Sequence, residues 1–253
     1  MKLYDALMGQ FEVLHALTLR ETRTRFGHHK LGYLWALVEP AIMILTFYIL
    51  FQLAHKPPPP GMTLFAFVAT GICPYLLFSN ALNRVADAIS GNQSLLYYPQ
   101  VNPLDLVIAR TFLEFATDVG VFLVLMMIEM LYMQEFAIAD PLLVVASFAL
   151  ATFLGATAGL VFLALGQLSK VADRARGPLL RPFFWISGIF FTAESLPPEA
   201  RGGMLINPVL HVIELSRAGW FERYDNRYGD SLFVLKWCMA FLLVGLFFER
   251  SIR

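Results

Sequence analysis

The first residues of the chain alternate apolar and polar positions with a helical period, and long apolar runs then take over. Leu3, Tyr4, Leu7, Met8, Phe11, Leu14 and Leu17 recur at steps of three and four, with Asp5, Glu12 and His15 on other faces. This predicts an amphipathic helix over residues 1–26 that lies in a membrane interface. The alternative is an ordinary packed helix of a small soluble cap, but no second soluble element is there to pack against it. Apolar segments follow at about 31–54, 62–83, 104–133, 141–168, 179–193 and 231–248. A span takes about 20 residues at about 1.5 Å each, which the first four and the last can meet.

The fifth segment is the exception. Its run of roughly 15 residues reaches only about 22 Å, ends at Glu194, and is followed by a second apolar patch, Met204 to Leu215, broken at Asn207-Pro208. It is expected either to extend through Glu194 or to stop inside the bilayer, with short re-entrant helices completing the wall. Broken backbone of that kind survives only beside protein or a cavity. An external loop containing a surface helix is the alternative. Pro57 to Pro60 and Gly61 form a stiff extended turn between the first two segments. Gly155 to Gly159 makes a small-residue face that permits close helix contact, either within the subunit or at a dimer seam.

Composition agrees with a membrane protein. Apolar residues make up 58% of the 253, charged residues 15%, and mean hydropathy is +0.62, more than one water-soluble core absorbs. The predicted fold class is therefore an all-α membrane protein: an interface helix in 1–30, then a transmembrane domain over 31–253 with six transmembrane helices and short re-entrant helices between spans five and six. Lys plus Arg and Asp plus Glu balance at 19 each, so no net field points to nucleic acid.

Charge placement carries more information than the total. With the N-terminus inside, the cytoplasmic segments hold Lys2, Arg20, Arg23, Arg25, Lys30, Arg84, Arg110, Lys170, Arg174, Arg176, Arg181, Arg250 and Arg253. The opposite side holds Lys56 in its first loop and Arg201, Arg217, Arg223 and Arg227 in its last. Basic residues favour the cytoplasmic side, so both termini are expected there. Asp5, Glu12 and Glu21 argue against a cleaved signal peptide. Cys73 and Cys238 sit inside apolar runs and read as small core residues.

Catalytic signatures are missing. No G-x-x-x-x-G-K-[ST] phosphate loop occurs, so any ATP, with its Mg, must be handled by a partner. His15, His28, His29, His55 and His211 have no metal-like spacing, and no cofactor is expected in this chain. The third span carries Arg110, Glu114, Asp118 and Glu129, which at 100° per residue share an arc of about 100°. Two readings stay open: an Arg110–Glu114 pair with packing partners elsewhere, or the polar wall of a conduit or a proton relay. Rings crowd the first span (Tyr33, Trp35, Phe47, Tyr48, Phe51) and the fifth (Phe183, Phe184, Trp185, Phe190, Phe191). They serve either as interface anchors or as flat surfaces over which sugar C–H groups slide.

Three stretches carry a resemblance. Leu19-Arg20-Glu21-Thr22-Arg23-Thr24-Arg25-Phe26-Gly27 is followed by Leu31-Gly32-Tyr33-Leu34-Trp35-Ala36-Leu37-Val38-Glu39-Pro40. Then come Asn92-Gln93-Ser94-Leu95-Leu96-Tyr97-Tyr98-Pro99 with Val101 and Pro103, and Asn207-Pro208-Val209-Leu210-His211 with Glu214 and Arg217. In this order the chain resembles ABC-2-type polysaccharide export permeases, above all the membrane subunits of Gram-negative capsular polysaccharide exporters.

The resemblance implies a homodimer around a central channel in the inner membrane, two cytoplasmic ATP-binding subunits, and a lipid-linked polysaccharide cargo passed to periplasmic and outer-membrane export proteins. It implies that Arg23, Arg25, Phe26 and the segment Asn92, Gln93, Leu95, Leu96, Tyr97, Tyr98, Pro99 receive the ATPase. The loop then reads as a docking knob with exposed Leu95, Leu96, Tyr97 and Tyr98, or as a loop packed under the bundle. Pro197, Pro198, Asn207, Pro208, His211, Glu214 and Arg217 would form a periplasmic gate. The proline-rich first external loop departs from the family pattern. Rival readings are export of O-antigen, teichoic acid or a small hydrophobic compound on the same scaffold, a proton-coupled carrier using Glu114 and Asp118, and a membrane enzyme of lipid-linked sugars.

Overall fold

Helix starts in this chain are set by cap residues followed by proline. Pro103, Pro141 and Pro208 each occupy a first helical position, where the missing N–H is no loss. Before two of them, Asp140 accepts from Leu143 N at 3.0 Å and Asn207 accepts from Val209 N at 3.0 Å. The computed structural model describes residues 2–26, 31–97, 101–134 and 138–252, and these contain helices and no strand.

In chain order the helices are α1 (Lys2–Phe26), α2 (Leu31–Leu53), α3 (Leu64–Ala86), a 3-10 segment (Ser90–Tyr97), α4 (Pro103–Met133), α5 (Pro141–Leu168), α6 (Lys170–Ile186), α7 (Pro198–Met204), α8 (Pro208–Trp220) and α9 (Ser231–Ile252). Five of them, α2, α3, α4, α5 and α9, are long and apolar enough to cross a membrane.

The core sits around α3, which packs against α2, α4, α5 and α8. Glycines set the closest approach. A Cβ on Gly155 would lie 2.3 Å from the Phe78 carbonyl oxygen, and one on Gly159 2.6 Å from that of Leu82. The small-residue face of α5 is therefore spent inside the subunit, against a parallel α3. Every residue of α8 except Ala218 is buried, so this short helix is enclosed by protein. By contrast, Leu34, Ile42, Leu45, Ile49 and Leu53 of α2 are exposed, a surface suited to lipid or another chain and not to water.

The segment expected over 179–193 is not a single helix. Its helical part belongs to α6, which starts at Lys170, stops at Ile186, and at 17 residues is about 25 Å long. The extension runs backwards through charged residues, not forwards through Glu194. Gly188, at φ +82°, then takes a conformation that glycine adopts freely and turns the chain out of the helix. Asp173, Arg174 and Arg176 hid the helix from an apolar-run reading, and Pro178 and Pro182 broke its apparent continuity.

Candidate functional site

At the end of the bundle where α1 lies, one polar junction joins α1, α3, the 3-10 segment and α4. Asn92 Nδ2 donates to Glu21 Oε1 at 3.0 Å, Arg20 Nη1 donates to Asn92 Oδ1 at 2.7 Å, and Arg110 Nε donates to the same Glu21 oxygen at 2.9 Å. Arg110 also donates to the Arg84 carbonyl at 2.7 Å. One turn deeper, Glu114 Oε1 takes Arg25 Nη1 at 2.7 Å and Arg84 Nε at 3.3 Å. Asp118 faces Asn80 Nδ2 at 3.5 Å, and Gln10 donates to Asp105 near the start of α4. Charge-assisted bonds of this kind are stronger than neutral ones, and burial raises the cost of leaving any partner unpaired.

These contacts correct the expected Arg110–Glu114 pair. The i, i+4 geometry is available, but each residue takes a partner from α1, because α1 lies along α4 and brings Glu21 and Arg25 with it. All of Glu114, Asp118 and Glu129 are buried, so the stripe faces protein. Glu129, near the far end of α4, accepts from Thr63 Oγ1, the cap of α3. A proton relay needs carboxylates free to change partners, whereas Glu114 is held by two guanidinium groups.

Among the residues expected to receive an ATPase, Arg23 is exposed, Arg25 is engaged with Glu114 and Asn92 is buried in the junction. Leu95 is not an exposed knob residue: it is half-buried and turned into an apolar cluster with Leu17 and Val107. Tyr97 projects outward at 88% exposure. Tyr98 and Pro99 lie outside the described residues, as do the side chains of Phe26, Tyr33, Gln93 and Leu96. Glu21, Arg20 and Arg84 stood in the sequence only as parts of a signature stretch or a charge count; their role in holding the junction together was not legible, because their partners are distant in the chain.

The aromatic residues of α2 and α6 meet. Phe47 packs on Phe190, the rings tilted and their centroids 4.4 Å apart, and Phe184 reaches Phe190 at 5.4 Å and Tyr75 of α3 at 5.2 Å. Phe51 is buried against Phe190, and Tyr48 packs on Phe65. Most of these rings therefore hold α6 to α2 and α3. Trp185, Phe183 and Trp35 remain exposed. Phe47, Phe51, Trp185, Phe190 and Phe191, with Lys56, line a cavity of about 380 Å³.

At the opposite end, α8 carries the expected gate residues into the interior. Arg217 is fully buried. Its Nη1 and Nη2 donate to the carbonyls of Phe191 and Ile189 at 2.8 Å each, and the guanidinium lies 4.3 Å from the Phe67 ring centroid. Glu214 accepts from Ala193 N at 3.0 Å and from the Tyr224 hydroxyl. Burial, with the Glu214 carboxylate beside it, pushes the Tyr224 phenol above its usual range.

Asn207 ties α8 to the end of α6 through Ser187 Oγ at 3.0 Å. Asp230 N donates to His211 Nδ1 at 3.2 Å, so Nε2 carries the ring proton toward the Leu205 carbonyl at 2.8 Å. Pro197 and Pro198 sit exposed at the start of α7. The turn after α6 is thus braced by α8, with Arg217 donating to its carbonyls and Glu214 accepting from its Ala193 N–H.

Apolar helices long enough to cross a membrane, with buried polar side chains between them, describe a helical membrane protein. A family model for the ABC-2 type transporter matches residues 12–221, and the chain belongs to that family. It is 34% identical to the polysialic acid transport protein KpsM of Escherichia coli, covering 94% of this chain and 92% of that one. It is 31% identical to the capsule polysaccharide export inner-membrane protein BexB of Haemophilus influenzae over 98% and 93% of the two chains. It is 29% identical to the capsule polysaccharide export inner-membrane protein CtrC of Neisseria meningitidis serogroup B over 96% and 92%.

Proposed function

We propose that this chain is the transmembrane subunit of an ATP-driven exporter that moves a lipid-linked capsular polysaccharide across the inner membrane of a Gram-negative cell. Two copies enclose the path and two cytoplasmic ATP-binding subunits drive it; the chain itself carries no catalytic residues. Its two ends and the α1 end of the bundle face the cytoplasm, α1 lies in the interface, and α6 counts as a sixth span that α7 and α8 complete from the periplasmic side as gate helices.

The observation that carries this reading is the junction of Asn92 with Glu21, Arg20 and Arg110. It joins the two segments expected to meet the ATPase to each other and to α4. A push on Tyr97 is then transmitted to α1 and α4 together, because a buried polar network resists separate movement of its members. The similarity to capsule export inner-membrane proteins supports the cargo class.

The test is reconstitution with a candidate ATP-binding subunit. Tyr97→Ala and Asn92→Ala should each lower ATP turnover of the complex and surface capsule several-fold while the chain still inserts. Turnover and capsule at wild-type levels in both variants would remove the coupling assignment. Copurification of no nucleotide-binding subunit would remove the exporter reading, and appearance of O-antigen or teichoic acid in place of capsule would reassign the cargo.

A further inference from the structure

The proline run between α2 and α3 ends in a turn that walls a cavity. Met62 N donates to the Pro59 carbonyl at 3.2 Å, and Gly61 just before it takes φ +79°. Pro60 and Gly61 thus hold the two central places of a type II turn, which suit a fixed φ and a positive φ in that order. The turn lies against the segment after α8, where a Cβ on Gly61 would sit 3.4 Å from that of Arg223. Together the turn, the end of α4 and the end of α8 line a cavity of about 800 Å³, within the about 300–1,000 Å³ of small-molecule sites.

The lining joins a buried acid to an exposed base. Glu129 is 9% exposed, and its carboxylate accepts from the Thr63 hydroxyl, which in turn accepts from Ala66 N at 3.3 Å as the cap of α3. Arg223 is exposed on the same cavity, and Trp220 adds apolar surface. A carboxylate favours an N–H cation and a guanidinium favours a phosphate. The cavity therefore suits a compact group that carries both charges.

Its place on α4 indicates where such a group comes from. At 100° per residue Glu129, Met130 and Met133, which line the cavity, share an arc of about 100°. Val124, Met127, Ile128 and Leu131 occupy the arc beside it, again about 100° wide, and all four are exposed. α4 is long and apolar enough to cross a membrane, so that second face suits acyl chains. A headgroup in the cavity would sit at the end of chains lying along α4. We propose that the cavity between the α2–α3 turn and the ends of α4 and α8 binds the phosphoethanolamine headgroup of a membrane phospholipid, its ammonium toward Glu129 and its phosphate toward Arg223.

This site needs only a bundle embedded in a membrane, and neither an exported glycan nor an ATPase. It reads the amine: ethanolamine donates N–H bonds to a carboxylate, quaternary choline has none to donate, and a glycerol headgroup carries no cation.

The test uses the full chain, purified in detergent and stripped of lipid, with native mass spectrometry to read bound lipid. Phosphatidylethanolamine should bind about tenfold tighter than phosphatidylcholine or phosphatidylglycerol with the same acyl chains, the worth of one charge-assisted contact. Glu129→Gln, which can still accept from Thr63, should abolish that preference, and Arg223→Ala should weaken all three lipids by a similar factor. Phosphatidylethanolamine should also raise the melting temperature of the unaltered chain and leave that of Glu129→Gln unmoved.

Equal binding of the three lipids by the unaltered chain, a comparison that needs no variant, would overturn the proposal. So would a preference kept in full by Glu129→Gln. Soluble glycerophosphoethanolamine that binds as tightly as the lipid would overturn it as well, by making the ligand a free amine. A chain that exports glycan but binds the three lipids alike fails only this assignment.

Discussion

Arg25 Nη1 of α1 stands 2.7 Å from Glu114 Oε1 of α4 across 89 positions of sequence, and the same oxygen also faces Arg84 of α3. One buried carboxylate therefore fastens three helices at the level where α1 meets the bundle. Removing it strands the Arg25 cation in a site with little water.

Glu114→Ala is expected to lower stability by about 3 kcal/mol, the lower end for breaking a buried pair, because Arg84 is half exposed and rehydrates. Thermal melts of the detergent-purified chain check this. In a double-mutant cycle with Arg25→Ala the coupling should exceed about 1 kcal/mol, and additivity within about 0.5 kcal/mol would show that the pair is not energetically linked.

Gly155→Ala and Gly159→Ala should each force α3 and α5 apart, because the added methyl meets backbone oxygens that cannot move independently of their helix. Overpacking of this kind costs about 1–3 kcal/mol. Gly120→Ala on α4 has nothing within 4 Å of the new Cβ and should leave the melting temperature unchanged or slightly raised. If all three variants melt alike, the close contact of α3 with α5 is wrong.

Arg217→Lys should be nearly as damaging as Arg217→Ala. The guanidinium fork reaches the carbonyls of Ile189 and Phe191 and covers the Phe67 ring, which a single ammonium cannot do together. The expected loss is about 2–4 kcal/mol, from stranded carbonyls worth about 1–3 each. Proteolysis of the turn after α6 should rise in parallel, and full rescue by lysine would contradict the bridging role.

The aromatic residues divide by exposure. Phe47→Ala should weaken the attachment of α2 to α6 and lower the melting temperature, since its ring packs on Phe184 and Phe190. Trp185→Ala, at a site 60% exposed, should leave stability nearly intact while reducing capsule export several-fold. The informative measurement is the pair of values together: a Trp185→Ala chain that melts normally and exports normally would exclude the ring from the path.

The legibility of the chain follows from the range of each interaction. The spans around α2, α3, α4, α5 and α9 could be read from sequence because hydrocarbon imposes one local rule, a long apolar run, on every spanning helix. The polar stripe of α4 was legible as a stripe. Its partners were not, since a spacing of four predicts a neighbour only on the same helix, while Glu21 and Arg25 arrive by the folding-back of α1. α6 was half read: an apolar window begins where Leu179 begins, but the helix begins at a serine cap and runs through charges that its exposed face tolerates.

Sequence by itself determined the membrane class, the helical content and the absence of a phosphate loop, because these depend on composition, local periodicity and short motifs. Tertiary structure alone decided which carboxylates are spent on ion pairs and which rings hold α6 in place. Those outcomes depend on where helices distant in the chain come to lie beside one another, and residue spacing along a single helix carries no record of that.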